Sequence, residues 1–126
     1  MDLNSKAIIY LGSTKKDLSK LPGEVKETFA FGLYMASLGD THPDTKALKG
    51  FGGRNVLEII EDYKGDTYRA IYTVRFKDAI YVLHVFKKKS TKGIATPKKD
   101  RELLVQRLKD ATAHYKTIRQ KLLSKK

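Results

Sequence analysis

Four short stretches of the chain are rich in β-branched and aromatic residues, a composition typical of strands. They are residues 7–11, 56–61, 68–76 and 79–86. Turn signals at Gly65-Asp66 and Lys77-Asp78 separate the last three stretches. Connections this short join antiparallel neighbours, so residues 56–86 predict a three-stranded antiparallel unit.

Helical patterns lie on either side of these strands. Ser13 or Thr14 is a suitable N-cap for a short helix that ends before Pro22. Pro22 suits the start of a second helix, because the N–H that proline lacks has no helical partner there. This helix is predicted to stop near Gly39, and its apolar residues follow helical spacing: Val25, Phe29, Leu33 and Ala36. Residues 40–53 contain Pro43 and three glycines and are predicted to be a loop.

A third helix is predicted after Thr96-Pro97, with threonine as N-cap and proline at the first helical position. The order of strand, two helices, three strands and helix predicts an α+β fold. In it, a small antiparallel or mixed sheet is packed by two N-terminal helices and one C-terminal helix. With 126 residues the chain is expected to form one domain over 1–126, with 119–126 frayed or paired with a partner.

The turn at Lys77-Asp78 determines which side chains share a face of the sheet. A two-residue loop there places Phe76 opposite Ala79, and counting outward places Arg69 opposite Phe86 and Ile71 opposite His84. Strand alternation then puts one group on the face toward the helices: Tyr68, Ala70, Tyr72, Val74, Tyr81, Leu83 and Val85. The other face holds Arg69, Ile71, Thr73 and Arg75 with Ile80, Val82, His84 and Phe86.

Charge is distributed unevenly along the chain. The net charge is +12, yet residues 1–45 hold five basic and six acidic residues, whereas residues 84–126 hold fourteen and three. A basic region of this density favours a polyanionic partner, with RNA or DNA ahead of a membrane surface, although a solvated lysine-rich surface is the alternative.

There is no cysteine, which excludes disulfides and zinc thiolates and fits a cytoplasmic location. No apolar run approaches the roughly 20 residues that span a bilayer, so no membrane association is expected.

Four segments in this order resemble the RelE/ParE superfamily of type II toxin–antitoxin toxins, and within it the HigB-like, phage-associated branch. They are 46–50 leading into 56–59, 68–72, 84–90 and 93–100. The resemblance implies a toxin that binds the ribosomal A site and cleaves mRNA without a metal ion or other cofactor. It also implies a cognate antitoxin, in this branch usually a helix-turn-helix protein. The other arm of the superfamily poisons DNA gyrase, and fold alone does not separate the two activities.

Metal-free RNA cleavage needs a base for the 2′-hydroxyl, cations for the charged phosphorane and an acid for the leaving oxygen. Arg69 matches the strand arginine of the family and is predicted to grip the phosphate, with a salt bridge to Glu58 or Glu61 as the alternative. Lys87, Lys88 and Lys89 match the basic turn after the last strand. Because crowded ammonium groups lower one another's pKa, Lys88 is favoured for proton transfer and its two neighbours for phosphate binding.

Two further residues are candidates for proton transfer. RelE carries lysines on the strand before the arginine, whereas this chain carries Glu58, Ile60, Glu61 and Asp62. Glu58 is therefore a candidate general base or a plain ion-pair partner, and the identity of the base stays open. His84 shares the predicted face of Arg69 and either assists proton transfer or is simply packed.

The remaining candidates bind RNA backbone: Lys49, Arg54, Lys92, Lys98 and Lys99. His42 and His114 lack partners at metal-ligand spacing, so no metal site is predicted. Two other functions stay open, a ParE-like inhibitor of DNA gyrase and a basic RNA-binding module without catalysis.

Overall fold

The structure, a computed structural model, describes residues 5–51, 53–88 and 98–124. The chain divides into two compact units, Met1–Lys92 and Gly93–Lys126. In chain order the elements are β1 (Ala7–Tyr10), α1 (Thr14–Ser19), α2 (Gly23–Ser37), β2 (Thr45–Ala47), a 3₁₀ turn (Gly53–Asn55), β3 (Val56–Tyr63), β4 (Asp66–Thr73), β5 (Ala79–Lys88) and α3 (Lys98–Ser124).

The first unit contains a five-stranded mixed sheet in the order β1-β5-β4-β3-β2. β1 runs parallel to β5, and the other neighbours are antiparallel. The predicted α+β class is confirmed, with five strands and three helices. The helix start predicted at Thr96-Pro97 lies outside the described residues.

Strand β2 corrects the prediction that residues 40–53 form a loop throughout. Thr45 pairs with Ile59, Lys46 with Glu58, and Ala47 with Leu57. Three residues provide too few positions for a recognisable alternation, and Thr-Lys-Ala has only modest strand propensity. Pairing with β3, rather than local preference, therefore makes this segment a strand.

The β3–β4 hairpin turns at Lys64 and Gly65, one residue earlier than the predicted Gly65-Asp66 turn. Both residues have positive φ, 49° and 85°, and Tyr63 pairs with Asp66 across the turn. A two-residue loop with two positive φ angles is a type I′ turn, whose twist matches that of the flanking strands. Asp66 already belongs to β4.

The β4–β5 register is confirmed where it matters for the site but wrong near the turn. Arg69 lies opposite Phe86 and Ile71 opposite His84, as predicted. Strand β4 ends at Thr73, however, so residues 74–78 form a five-residue connection instead of a two-residue loop. An irregularity follows, because Tyr72 pairs with Val82 rather than Leu83. The extra residue in β5 is a β-bulge that compensates for the longer connection.

The bulge exchanges the faces of residues 80–82. Ile80 and Val82, predicted on the face of Arg69, belong to the core cluster packed with the helices, and Tyr81 pairs with Thr73 on the opposite face. The predicted placement of Tyr81 among the helix-facing residues is therefore wrong, whereas Leu83 is the unpaired residue of the bulge. Tyr68, Ala70, Tyr72 and Val85 do lie in that cluster, with Val74 packed against it.

Helix α2 supplies the other side of the core. Its four predicted apolar residues, Val25, Phe29, Leu33 and Ala36, are all buried and belong to the same cluster. Gly32 lies between them, and a Cβ atom there would come 2.6 Å from Cδ1 of Ile59 on β3. The glycine therefore allows α2 to approach the sheet closely. The opposite face of the sheet carries charged groups such as Glu58 and Arg69 together with the buried residues Ile71 and Tyr81.

Candidate active site

The sheet face opposite α2, here called the site face, collects charged side chains from four adjacent strands. Directly paired residues project to the same face. One row across the sheet is therefore Lys46, Glu58, Ile71 and His84. The next is Ile60, Arg69 and Phe86, and a third is Asp62, Thr67 and Lys88.

Arg69 and Glu58 form an ion pair across two neighbouring rows. Nη1 of Arg69 donates to Oε2 of Glu58 over 3.0 Å. Glu58 is only 3% exposed and Arg69 15%, so both charges are largely removed from water. Buried charges persist only when paired, because each would otherwise lose its solvation without compensation. The ion pair that the sequence left open as an alternative is thus present.

The arginine retains further hydrogen-bonding capacity. Its Nε atom is buried and has no hydrogen-bond partner among the residues that the structure describes. A guanidinium can serve two acceptors along different edges of its planar fork. Glu58 occupies Nη1, and the Nε–H remains as a donor suited to a second oxygen acceptor.

Lys88 lies at the end of β5, opposite Thr67. Partial burial lowers the pKa of its ammonium group, and the positive charges of Arg69 and, more weakly, Lys46 lower it further, whereas Glu58 opposes the shift. The Thr67 hydroxyl donates to Asp62 over 2.7 Å in the same row. A lysine with a lowered pKa is more readily deprotonated near neutral pH than an exposed one, which is the property that proton transfer requires.

His84 and Phe86 follow each other on the same face of β5. Their rings are stacked, with centroids 4.3 Å apart and planes 19° from parallel. Phe86 is directly opposite Arg69. An aromatic surface therefore lies beside the arginine on the site face.

A family model matches a segment of the chain that includes the described residues of the site face. The profile of the family described as "Phage derived protein Gp49-like (DUF891)" matches residues 16–109. The chain belongs to this family. The Gp49-like family is of the RelE toxin type, which confirms the superfamily resemblance and makes a toxin-like protein with an antitoxin partner the expectation for its members. No curated protein matches the chain.

In this Gp49-like chain the lysine run is divided by strand alternation. Lys87 leaves β5 on the face opposite Lys88, where its Nζ lies 3.5 Å from Asp66 Oδ2. Both members of that pair are substantially exposed, so the contact contributes little to stability. Of the two described lysines in the run, only Lys88 lies on the site face.

Lys46 is the site-face residue that the sequence reasoning missed. It is exposed on edge strand β2 and lies directly opposite Glu58. In the sequence, Lys46 is a single lysine in a segment that was predicted to be a loop. Without the β2–β3 pairing, nothing in the sequence assigns this side chain to a face.

Three other predicted RNA-binding residues are described outside the strands of the sheet. Lys49 is exposed just beyond β2, and Lys98 and Lys99 are exposed in the first turn of α3, in the second unit. Lys89 and Lys92 lie outside the described residues, as does the side chain of Arg54.

Two wider features are relevant to chemistry. Among residues 5–51, 53–88 and 98–124, no three histidines, cysteines or carboxylates are grouped so that they could hold a metal ion. None of the described helices is long and apolar enough to cross a membrane.

Proposed function

We propose that this Gp49-like protein is the toxin of a type II toxin–antitoxin pair, of the HigB-like branch, and that it cleaves mRNA on the ribosome. The observation that carries the proposal is the convergence of Lys46, Arg69 and Lys88 on one sheet face, in a chain of the RelE toxin type. Cations on adjacent strands provide the charge that a phosphodiester and its phosphorane need.

The chemistry uses the RNA's own 2′-hydroxyl. Its oxygen attacks the phosphorus, and its proton passes to a base. The bond to the 5′-oxygen breaks, and that oxygen takes a proton, which leaves a 2′,3′-cyclic phosphate and a 5′-hydroxyl end. Lys88, with its lowered pKa, accepts the first proton and returns it to the leaving oxygen. Arg69 donates to the non-bridging oxygens, where charge develops.

The aromatic and imidazole groups beside this centre suit a nucleotide substrate. Phe86, stacked on His84 and opposite Arg69, offers a surface for a base, and stacking of unpaired bases on aromatic rings is the usual mode of single-strand RNA recognition. His84 is placed to assist proton transfer from the same face. The A site of the ribosome presents mRNA as such an unpaired strand.

The antitoxin would neutralise these cations. A helix-turn-helix protein with an acidic segment across the site face would satisfy the charges of Lys46 and Lys88 and block access to Arg69.

The proposal is tested by primer extension on an mRNA during translation, with wild-type protein, Arg69→Ala and Arg69→Lys. Arg69→Ala leaves Glu58 as a buried unpaired charge and could unfold the protein. Arg69→Lys keeps a positive charge beside Glu58 but loses the planar fork, so it tests the role of the guanidinium in a protein that still folds. Arg75→Ala is the matched control, since Arg75 is exposed and lies beyond the end of β4.

Cuts with wild type and Arg75→Ala, dependent on ribosomes and absent with both Arg69 variants, are expected. Growth arrest by wild-type protein without any cut would reject the nuclease and favour gyrase inhibition.

A further inference from the structure

Among the carboxylates that the structure describes, Glu58 is the one that interacts with all three cations of the site face, Lys46, Arg69 and Lys88. Arg69 contacts it over 3.0 Å, and Lys46 lies directly opposite on β2. The negative charge of Glu58 also raises the pKa of Lys88, which burial and the charges of Arg69 and Lys46 lower. No other described carboxylate has all three relationships.

The burial of Glu58 is difficult to reconcile with the role of a base. A general base must come within hydrogen-bond reach, about 2.6–3.2 Å, of the proton that it removes. Glu58 is 3% exposed, and its Oε2 already accepts from Arg69. It belongs to β3, which is paired on both sides by β2 and β4, so its backbone has little freedom to carry the carboxylate toward a substrate.

Arg69 on β4 and Lys88 on β5 are diagonal neighbours, and Lys46 on β2 lies across β3 from Arg69. Diagonal neighbours have Cβ atoms about 7–8 Å apart, so the charges of Arg69 and Lys88 repel each other, and the charge of Lys46 adds a weaker repulsion. A buried carboxylate among them offsets this repulsion and, through a hydrogen bond to one Nη atom, also determines the plane of the Arg69 guanidinium. The orientation leaves the arginine's other donors for a ligand.

We propose, on the basis of the function proposed above, that Glu58 is a positioning residue that holds Arg69 and gathers Lys46 and Lys88 around one phosphate, and that it takes no proton in the reaction. The base assignment that the sequence left open then falls to Lys88. The same carboxylate explains why this chain has an acidic residue at a strand position where RelE carries lysines.

A positioning role and a base role make different predictions for pH dependence. Neutral Lys88 is the base, so cleavage rises with pH up to its pKa. The charged groups around it are Arg69, Lys46, Glu58 and Asp62, with His84 on the same strand. Because Glu58 raises the pKa of Lys88, removal of that charge lowers it, and the rising limb of the profile moves to lower pH. If Glu58 were the base, its removal would abolish the limb.

The experiment measures the single-turnover cleavage rate on mRNA-programmed ribosomes against pH for wild type, Glu58→Gln and Glu58→Ala. Glu61→Gln is the matched control, because Glu61 is on the same strand but projects to the helix side, opposite Tyr68. Circular dichroism and thermal unfolding check that each variant is folded. Glutamine keeps a hydrogen-bond acceptor for Arg69, so it is the variant that preserves the fold best.

We expect Glu58→Gln to slow cleavage about 10-fold, as weakening of a charge-assisted hydrogen bond would, with its rising limb kept and moved to lower pH. Glu58→Ala is expected to be slower still, and Glu61→Gln to match wild type. A Glu58→Gln profile that becomes independent of pH, or one identical to wild type in rate and position, would overturn the inference. A wild-type protein that cuts no mRNA overturns the proposed function itself and is recognised before any variant is compared.

Discussion

Lys87 and Lys88 are neighbours in the sequence, yet their side chains leave β5 on opposite faces of the sheet. Lys87 pairs with exposed Asp66, whereas Lys88 shares the site face with Arg69 and has a lowered pKa. The sequence treats them as one basic run. Strand alternation makes one of them a candidate for chemistry and the other a solvated surface charge.

This difference predicts the outcome of two matched substitutions. Arginine keeps the positive charge but does not lose its proton in proteins, so Lys88→Arg should reduce cleavage by about 10²–10⁴-fold, the usual contribution of a general acid–base group. Lys87→Arg should leave the rate unchanged. Cleavage rates on translated mRNA, measured across a pH series, check both. Equal activity of the two variants would limit Lys88 to an electrostatic role.

At the scale of elements, the contact between α2 and β3 depends on a residue that carries no side chain. A Cβ at Gly32 would lie 2.6 Å from Cδ1 of the fully buried Ile59. No real contact is so short, so the neighbouring side chain or the helix would have to move in a packed core. The helical pattern of Val25, Phe29, Leu33 and Ala36 identifies the buried side of α2 but gives no measure of its distance from the sheet.

Gly32→Ala should therefore destabilise the protein by about 1 kcal/mol, because overpacking costs about 1–3 kcal/mol and the gain in helix propensity returns at most about 1. Ile59→Val removes the obstructing Cδ1. In that background the same alanine should stabilise by up to about 1 kcal/mol. Urea denaturation of the four proteins in this double-mutant cycle measures the effect. If Gly32→Ala changed the free energy of unfolding in the same direction in both backgrounds, the packing explanation would be contradicted.

The β5 bulge shows how one element changes another. The prediction of a two-residue β4–β5 loop was wrong, yet Arg69 still lies opposite Phe86 because the bulge at Leu83 restores the predicted register beyond the longer connection. Only residues 80–82 changed faces. The wrong loop length therefore leaves the pairing beside the site as predicted and changes only the pairing near the turn.

At the scale of the whole molecule, positive charge is concentrated in the second part of the chain. Residues 1–45 carry a net charge of −1, and the remaining residues hold the excess. Lys46 stands at the start of that basic part and is exposed on the site face. An RNA strand that follows the site face should therefore meet Lys46 but not the lysines of α1.

Lys46→Ala should weaken binding to single-stranded RNA and reduce the salt dependence of the association constant. Each lost phosphate contact lowers the slope of log K against log salt by about 0.7 for a single strand. Lys15→Ala, which removes another exposed lysine, from α1, is the control for net charge and should leave the slope unchanged. Fluorescence anisotropy over a potassium chloride series measures both. Equal slopes for the two variants would mean that RNA responds only to total charge.

Local patterns in the sequence determined much of this protein. Helix caps and spacing identified α1 and α2, β-branched and aromatic runs identified four of the five strands, and alternation placed Arg69 and His84 on one face. These signals lie within a few consecutive residues, because side-chain periodicity and turn chemistry are properties of neighbouring positions. The charge asymmetry likewise required no structure.

Only the tertiary structure decided which charges meet. Strand β2 exists because β3 pairs with it, and that pairing brings Lys46 opposite Glu58. The ion pair of Glu58 with Arg69 joins residues eleven positions apart across two strands, and Lys88 reaches the same cluster from a third. Separation along the chain carries no information about such contacts. They follow from register and burial, which are properties of the assembled sheet.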